Sequence, residues 1–345
     1  MNPEVTRTFS SPLGFLSLRP ACLLAAATSA LLVCGAIAPV ARAQTPTMIE
    51  MRAMPVNAKK GEPFKPLPAL TQADIGEIRI GGKPATITSI TPVFKGPNTL
   101  QLMVVLDSMQ MIGGKGQFDD IRKFFDQMPP NVEIGVGYLL QGNVKITQPF
   151  TTDRKLAGAA LIEKTREEAA NPKMDNGNSF QCLRQLAAHW PNGDPTKLRA
   201  VLMFTDGIIR SNGQSQGGDQ LNPDVEGASQ SLQRFGVIPY PFFYLDFPAV
   251  DPNRNEGGQL EGQTNFSQLA ADTGGEALWE GQFSPGSFFP LLDKLYSVLQ
   301  GSVVVTVSAP GGPGKYQRVD VKSNRPDIKI LSPDNVMNGN VIGKK

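Results

Sequence analysis

A chain of 345 residues with 40% apolar and 19% charged side chains has the composition of an ordinary globular protein, long enough for one large domain or two small ones. The formal charge of +2 disappears once residues 1–43 are set aside, because these carry Arg7, Arg19 and Arg42 against Glu4 alone. A nucleic acid or other polyanionic partner is therefore not expected. Residues 1–43 read as a signal peptide: Arg7 and Arg19 precede an apolar run over 21–40, and Ala41-Arg42-Ala43 supplies small residues for cleavage before Gln44. A retained anchor is the alternative for a run long enough to cross a bilayer. Gly35, Pro39 and the small residues at 41–43 favour removal, so the mature chain is expected to be exported, periplasmic or extracellular, with no membrane span. Cys22 and Cys34 leave with this segment, and Cys182 alone cannot form an intramolecular disulfide.

Residues 44–70 are rich in Pro, Lys and Gly and read as an extended segment. A β element follows over 71–97, where 75–93 alternates apolar and polar residues around Gly81-Gly82, a hairpin pattern. The run LMVVLDSMQM (102–111) is a strand buried on both faces that ends in Asp107. Phe118, Ile121, Phe124, Phe125 and Met128 then recur at helical spacing until Pro129-Pro130. Residues 132–140 and 143–150 read as a hairpin with Gln141-Gly142 at its turn, and 153–168 as a helix. Polar residues 171–178 lead into a helix carrying Phe180, Leu183, Leu186 and Trp190. The run ending VLMFTDG (198–207) is a second central strand, closed by Asp206. A polar stretch precedes a helix at 226–235 and a strand at 237–246. Another polar stretch, 251–264, precedes a helix through Phe266, Leu269 and Ala270; a short strand (277–279) and a helix (288–299) follow.

The alternation of strand and helix implies an α/β fold: a doubly wound, mostly parallel, Rossmann-like sheet over a domain at 98–301. Residues 302–345 form a C-terminal element in which 303–308 and 316–322 read as a second hairpin, one that could pair with the first. On this reading Asp107 and Asp206 share the edge at the carboxyl ends of the strands, where open α/β sheets bind ligands.

Four stretches, VVLDSMQM, VEIGVGYLL with its hairpin, NSFQCLRQLA and VLMFTDG, resemble the von Willebrand factor type A (vWA) domain in order and spacing across about 200 residues. The likeness is closer to the VWFA-related family of secreted bacterial proteins, whose small β flanks the segments before and after the domain also resemble. The resemblance implies a metal-ion-dependent adhesion site: Asp-x-Ser-x-Ser after the first strand, a Thr opening a later helix and an Asp after the fourth strand, holding Mg²⁺ through oxygen ligands. Asp107 and Asp206 match its carboxylates. Met109 and Met111 stand at the two Ser positions and Asn178 at the Thr, with Ser108 and Ser179 beside them. Thioethers do not suit a hard cation, so the site reads as degenerate: no cofactor is expected, and Mg²⁺ at Asp107 and Asp206 is the alternative.

The function expected from these observations is non-enzymatic capture of a protein or cell-envelope component at an edge formed by Asp107, Ser108, Met109, Met111, Asn178, Ser179 and Asp206. A structural subunit of an envelope or secretion assembly, binding through its β flanks, is the alternative. A hydrolase using Asp107 and Asp206 as an acid/base pair has little support, because two carboxylates alone specify no chemistry. His189, the only histidine, is expected to meet the carbonyls at its helix end, and Cys182 to be a buried small hydrophobe.

Overall fold

The structure is a computed structural model and describes residues 45–56, 67–95, 100–107, 115–140, 142–162, 178–192, 194, 196–207, 210–211, 214–215, 223–244, 256–281, 285–309 and 311–340. In chain order its elements are β1 (Thr45–Pro55), β2 (Ile75–Ile80), β3 (Lys83–Pro92), β4 (Leu100–Asp107), α1 (Lys115–Gln127), β5 (Glu133–Leu140), β6 (Asn143–Thr151), α2 (Arg154–Ala159) and α3 (Ser179–Ala188). They continue with β7 (Leu198–Thr205), β8 (Arg210–Ser211), β9 (Gln214–Ser215), α4 (Pro223–Phe235), β10 (Val237–Phe243), α5 (Glu256–Thr273), α6 (Phe289–Gly301), β11 (Val303–Ala309), β12 (Tyr316–Ser323), β13 (Ile328–Leu331) and β14 (Asn335–Met337).

The expectation of a doubly wound, mostly parallel sheet with only small hairpins at its flanks is corrected by the sheet topology. The largest sheet is antiparallel and has seven strands, in the order β13-β1-β11-β3-β2-β12-β14. The second is a five-stranded mixed sheet, β10-β7-β4-β5-β6, in which β6 runs antiparallel to its neighbour. The supposed terminal hairpin does not pair with itself. Its first strand, β11, lies between β1 and β3, and its second, β12, between β2 and β14, so the two flanks merge into one sheet.

The segment expected to be extended contributes β1, a strand with neighbours on both sides. Residues 45–51 pair with β11 and residues 52–55 with β13. The physical reason is an alternation that the Pro- and Lys-rich composition masked. Thr47, Ile49 and Met51 point into the core of the seven-stranded sheet, with Ile78, Ile80 and Val305. Met48, Glu50 and Arg52 face the other layer. A chain buried on both faces must be a member of the core, not a connector.

The five-stranded sheet is covered on both faces, which explains the unbroken apolar runs of its central strands. Leu102, Val104 and Leu106 of β4, with Leu202 and Phe204 of β7, pack against α1 and α6. Met103 and Val105, with Val201 and Met203, pack on the opposite face against α3, α4 and α5. Phe204 lies 4.7 Å from Phe242 and 5.3 Å from Phe288 between ring centroids. Pro239 and Pro241 are tolerated in β10 because it ends the ladder: on its outer side only a single bridge, Phe242 to Leu278, continues the pairing.

Several boundaries also differ. The helix expected over 153–168 is a short one, Arg154–Ala159, capped by Asp153 through Lys155 N and Leu156 N, and residues 163–168 lie outside the described set. The polar stretch 251–264 is helical from Glu256 onward. Among the described residues no helix is long and apolar enough to cross a membrane. The expected signal peptide lies outside them.

Candidate functional site

The carboxyl ends of β4 and β7 lie side by side. Their ladder runs as far as Leu106↔Phe204, so the next residues, Asp107 and Thr205, are neighbours. Both continue the face that carries Met103, Val105, Val201 and Met203. Thr205 Oγ1 accordingly donates to Asp107 Oδ2 at 3.0 Å, within a buried setting. Asp107 is 8% exposed and Asp206 fully buried. Neither carboxylate stands free in solvent as a bare acidic pair would.

Asn178 stands at the start of α3. It is the N-cap of α3: Oδ1 accepts from Phe180 N at 2.9 Å and Gln181 N at 3.2 Å, satisfying amides that a helix start leaves without partners. Nδ2 donates to Asp224 Oδ2 at 2.6 Å, tying α3 to the start of α4. Ser179 is buried at the first helical position. Ser108, Met109 and Met111 lie outside the described residues. Asp107 and Asp206 thus close adjacent strands, while Asn178 and Ser179 open the helix whose first turn carries Cys182, near enough to Asp107 for the carboxylate to act on its thiol.

Four residues that sequence reasoning missed close the floor of this edge. Gly207 adopts a left-handed φ of +66°, and a side chain there would press on Gly262 O and the Phe266 ring, each at 2.8 Å. A Cβ on Gly262 would lie 1.9 Å from Asp206 O. Asn265 Nδ2 donates to Gly207 O at 3.1 Å. The turn that presents Asp206 is therefore clamped directly beneath α5. Glu261, on the same helix, has its pKa raised, first by burial and then by the charge of Asp206. Among the described residues its buried Oε1 finds no hydrogen-bond partner. The signal for these positions was the helical spacing that runs back from Leu269 through Phe266 and Asn265 to Gly262, obscured by glycines and polar residues.

Cys182 lies one turn into α3 and is buried. Burial, reinforced by the nearby Asp107 carboxylate, pushes its thiol up to about 12, and Sγ donates to Asn143 O at 3.2 Å. The thiol stays protonated at neutral pH, which suits packing and not nucleophilic attack. His189 sits at the far end of the helix as its C-cap, with Nδ1 3.1 Å from Gln185 O.

The described residues hold only part of the ligand set the resemblance implies: Asp107, Asn178 and Asp206 lie within them, Met109 and Met111 outside. Mg²⁺ requires near-octahedral oxygen coordination. Asn178 has its oxygen and its nitrogen committed to α3 and Asp224, and Asp107 holds the Thr205 hydroxyl. Among the described residues no three His, Cys, Asp or Glu side chains are grouped to hold a metal ion.

Compared with protein-family models and with curated proteins, the chain matches none. Solved structures with partial likeness include the conserved hypothetical protein BatB from Bacteroides thetaiotaomicron, 18% identical, covering 42% of this chain and 66% of that one, with a TM-score of 0.31. They include a VWA domain, that of SpRpn10, 13% identical over 57% of this chain and 94% of that one, with a TM-score of 0.36. The pilus adhesin SpaC from Lactobacillus rhamnosus GG, in its open conformation, is 11% identical over 76% of this chain and 41% of that one, with a TM-score of 0.38.

Proposed function

We propose that this chain is an exported, non-enzymatic binding module that captures a protein or another envelope component at the edge built by Asp107, Asn178, Ser179 and Asp206. The observation that carries the reading is convergence. Two stretches far apart in sequence, each resembling part of a vWA ligand site, end side by side at β4 and β7, where the Thr205 hydroxyl donates to Asp107. Ligands of open α/β sheets bind at such ends. Because both aspartates are buried, contact with the partner falls on this reading to residues near them in sequence, Met109 and Met111 among them, since Met adapts to varied partners. Binding is metal-independent on this reading, because the thioethers of Met109 and Met111 do not suit a hard cation.

A second reading has its own observation. Fusion of both flanks into a seven-stranded sheet gives a larger surface than two isolated hairpins, one that suits a structural subunit of an envelope or secretion assembly binding through its β layer.

Capture from the cell envelope by the immobilised protein separates the two. Asp107→Ala combined with Asp206→Ala is expected to abolish capture, in a chain whose circular dichroism remains that of wild type. Capture that survives this change and is instead lost on deleting 311–345 would transfer the function to the β layer.

A further inference from the structure

β1 is the seam between the two layers, and its outward face holds a buried acid. Glu50 is 5% exposed; Tyr240 on β10 donates its hydroxyl to Glu50 Oε1 at 3.0 Å. Glu50 Oε2 is buried and, among the described residues, has no hydrogen-bond partner. The Ser302 hydroxyl stands near, but its single proton is donated to Val298 O at 2.9 Å. The nearby cations are engaged elsewhere. Arg52 donates to Gly275 O at 2.8 Å and to Glu276 Oε2 at 2.6 Å, and Lys294 donates to Glu276 Oε1 at 2.8 Å. Lys197 pairs with Glu133.

Beside Glu50 lies a cavity of about 40 Å³, walled by Met48, Leu198, Leu232, Gln233 and Val304, with Lys197 at its rim. A space of this size holds one or two water molecules where a polar group anchors them. An ionised carboxylate there would have the Tyr240 hydroxyl and the more distant charge of Arg52 to set against burial, beside walls in which Gln233, Thr273 and Asn335 interrupt the apolar side chains. Burial raises the Glu50 pKa, and the opposing effects of Ser302, Tyr240 and Arg52 do not cancel it.

We propose that Glu50 is a proton-operated clasp between the two layers: as the neutral acid it shares the cavity with water and lets β1 lie buried against the other layer, and on releasing its proton to water it leaves a buried charge that the Tyr240 hydroxyl alone does not offset, so that β1 opens toward solvent. The titratable groups that face it are Tyr240 from β10, Arg52 from β1 itself, Glu276 from the segment after α5, Lys294 from α6 and Lys197 from the segment before β7. The folded chain binds this proton more tightly than the unfolded one. Its contribution to stability is thus full below the ordinary carboxylate range and is lost as pH rises through the elevated pKa of Glu50.

The test compares the whole protein with Glu50→Gln, whose amide copies the neutral acid, by thermal unfolding between about pH 4 and pH 8. The wild-type midpoint minus that of E50Q is expected to fall by several degrees as pH rises, leaving E50Q the more stable at neutral pH. A difference that does not change with pH overturns the proposal, and so does an E50Q chain that fails to fold. Amide hydrogen exchange on the wild type gives a readout that needs no variant. Corrected for intrinsic rates, protection of residues 45–55 is expected to drop at least tenfold relative to β4 across the same interval. Equal pH dependence in the two strands overturns the clasp.

Discussion

The two sheets solve the burial problem in opposite ways. The five-stranded sheet is assembled from strands that follow one another between residues 100 and 243, and helices cover both its faces. The seven-stranded sheet recruits strands from both ends of the chain and buries a core of its own, with β1 reaching the other layer through Glu50 and Arg52 and β12 through Tyr316, which donates to Gln233. In the first sheet, position along the chain nearly determines position in space. In the second, Met51 pairs with Val303 and Pro55 with Ile328, contacts that no local pattern specifies. The first layer carries the proposed ligand edge; the second is joined to it in part through buried polar groups, whose energies depend on protonation and partners more than on area.

Four substitutions probe that contrast. Phe204→Ala removes a fully buried ring from a cluster with Phe242 and Phe288 and should cost about 3–5 kcal/mol, read as the loss of unfolding free energy in urea. Ile49→Ala should cost about 2–5 kcal/mol, as truncation of a core residue does. Were β1 merely an extended segment, the same measurement would return under about 0.5 kcal/mol. Gly262→Ala, which drives a methyl against Asp206 O, should cost about 1–3 kcal/mol and lower capture at the Asp107 edge together with stability. A neutral result would break the claim that α5 clamps the turn after β7. Asn178→Ala removes the cap of α3 and the bond to Asp224. It is expected to cost about 0.5–2 kcal/mol, with faster hydrogen exchange confined to the first turn of α3.

How much of this was legible follows from the kind of burial. The strands at 102–107 and 198–205 announce themselves because burial on both faces demands a continuous apolar run, and each ends in an aspartate that marks the edge. Asn178 was legible as the residue that opens a helix, since its amide caps from there. Three things were not. Thr47, Ile49 and Met51 alternate as a half-buried strand should, yet Pro and Lys in the residues that follow gave the whole stretch the composition of a connector. The exchange of partners between β11 and β12 is invisible locally, because any alternating strand can pair with any other of matching length. The floor of the edge was hidden because α5 begins among glycines, whose small size the Asp206–Gly207 turn requires and whose weak helix propensity argues against a helix.

The place of β1 in the seven-stranded sheet also governs how the chain is made. All five strands of the mixed sheet have been synthesised by residue 243, whereas β1, written first, has no strand to join until residues 303–309 appear and lacks its second neighbour until 328–331. An early hydrophobic strand must therefore wait, unpaired, through most of translation, and loop closure over more than about 200 residues is slow relative to local pairing. Maturation of this layer is a late, post-synthetic step, and a ribosome-bound chain stalled before residue 303 should expose residues 45–55 to protease while the five-stranded layer is already protected.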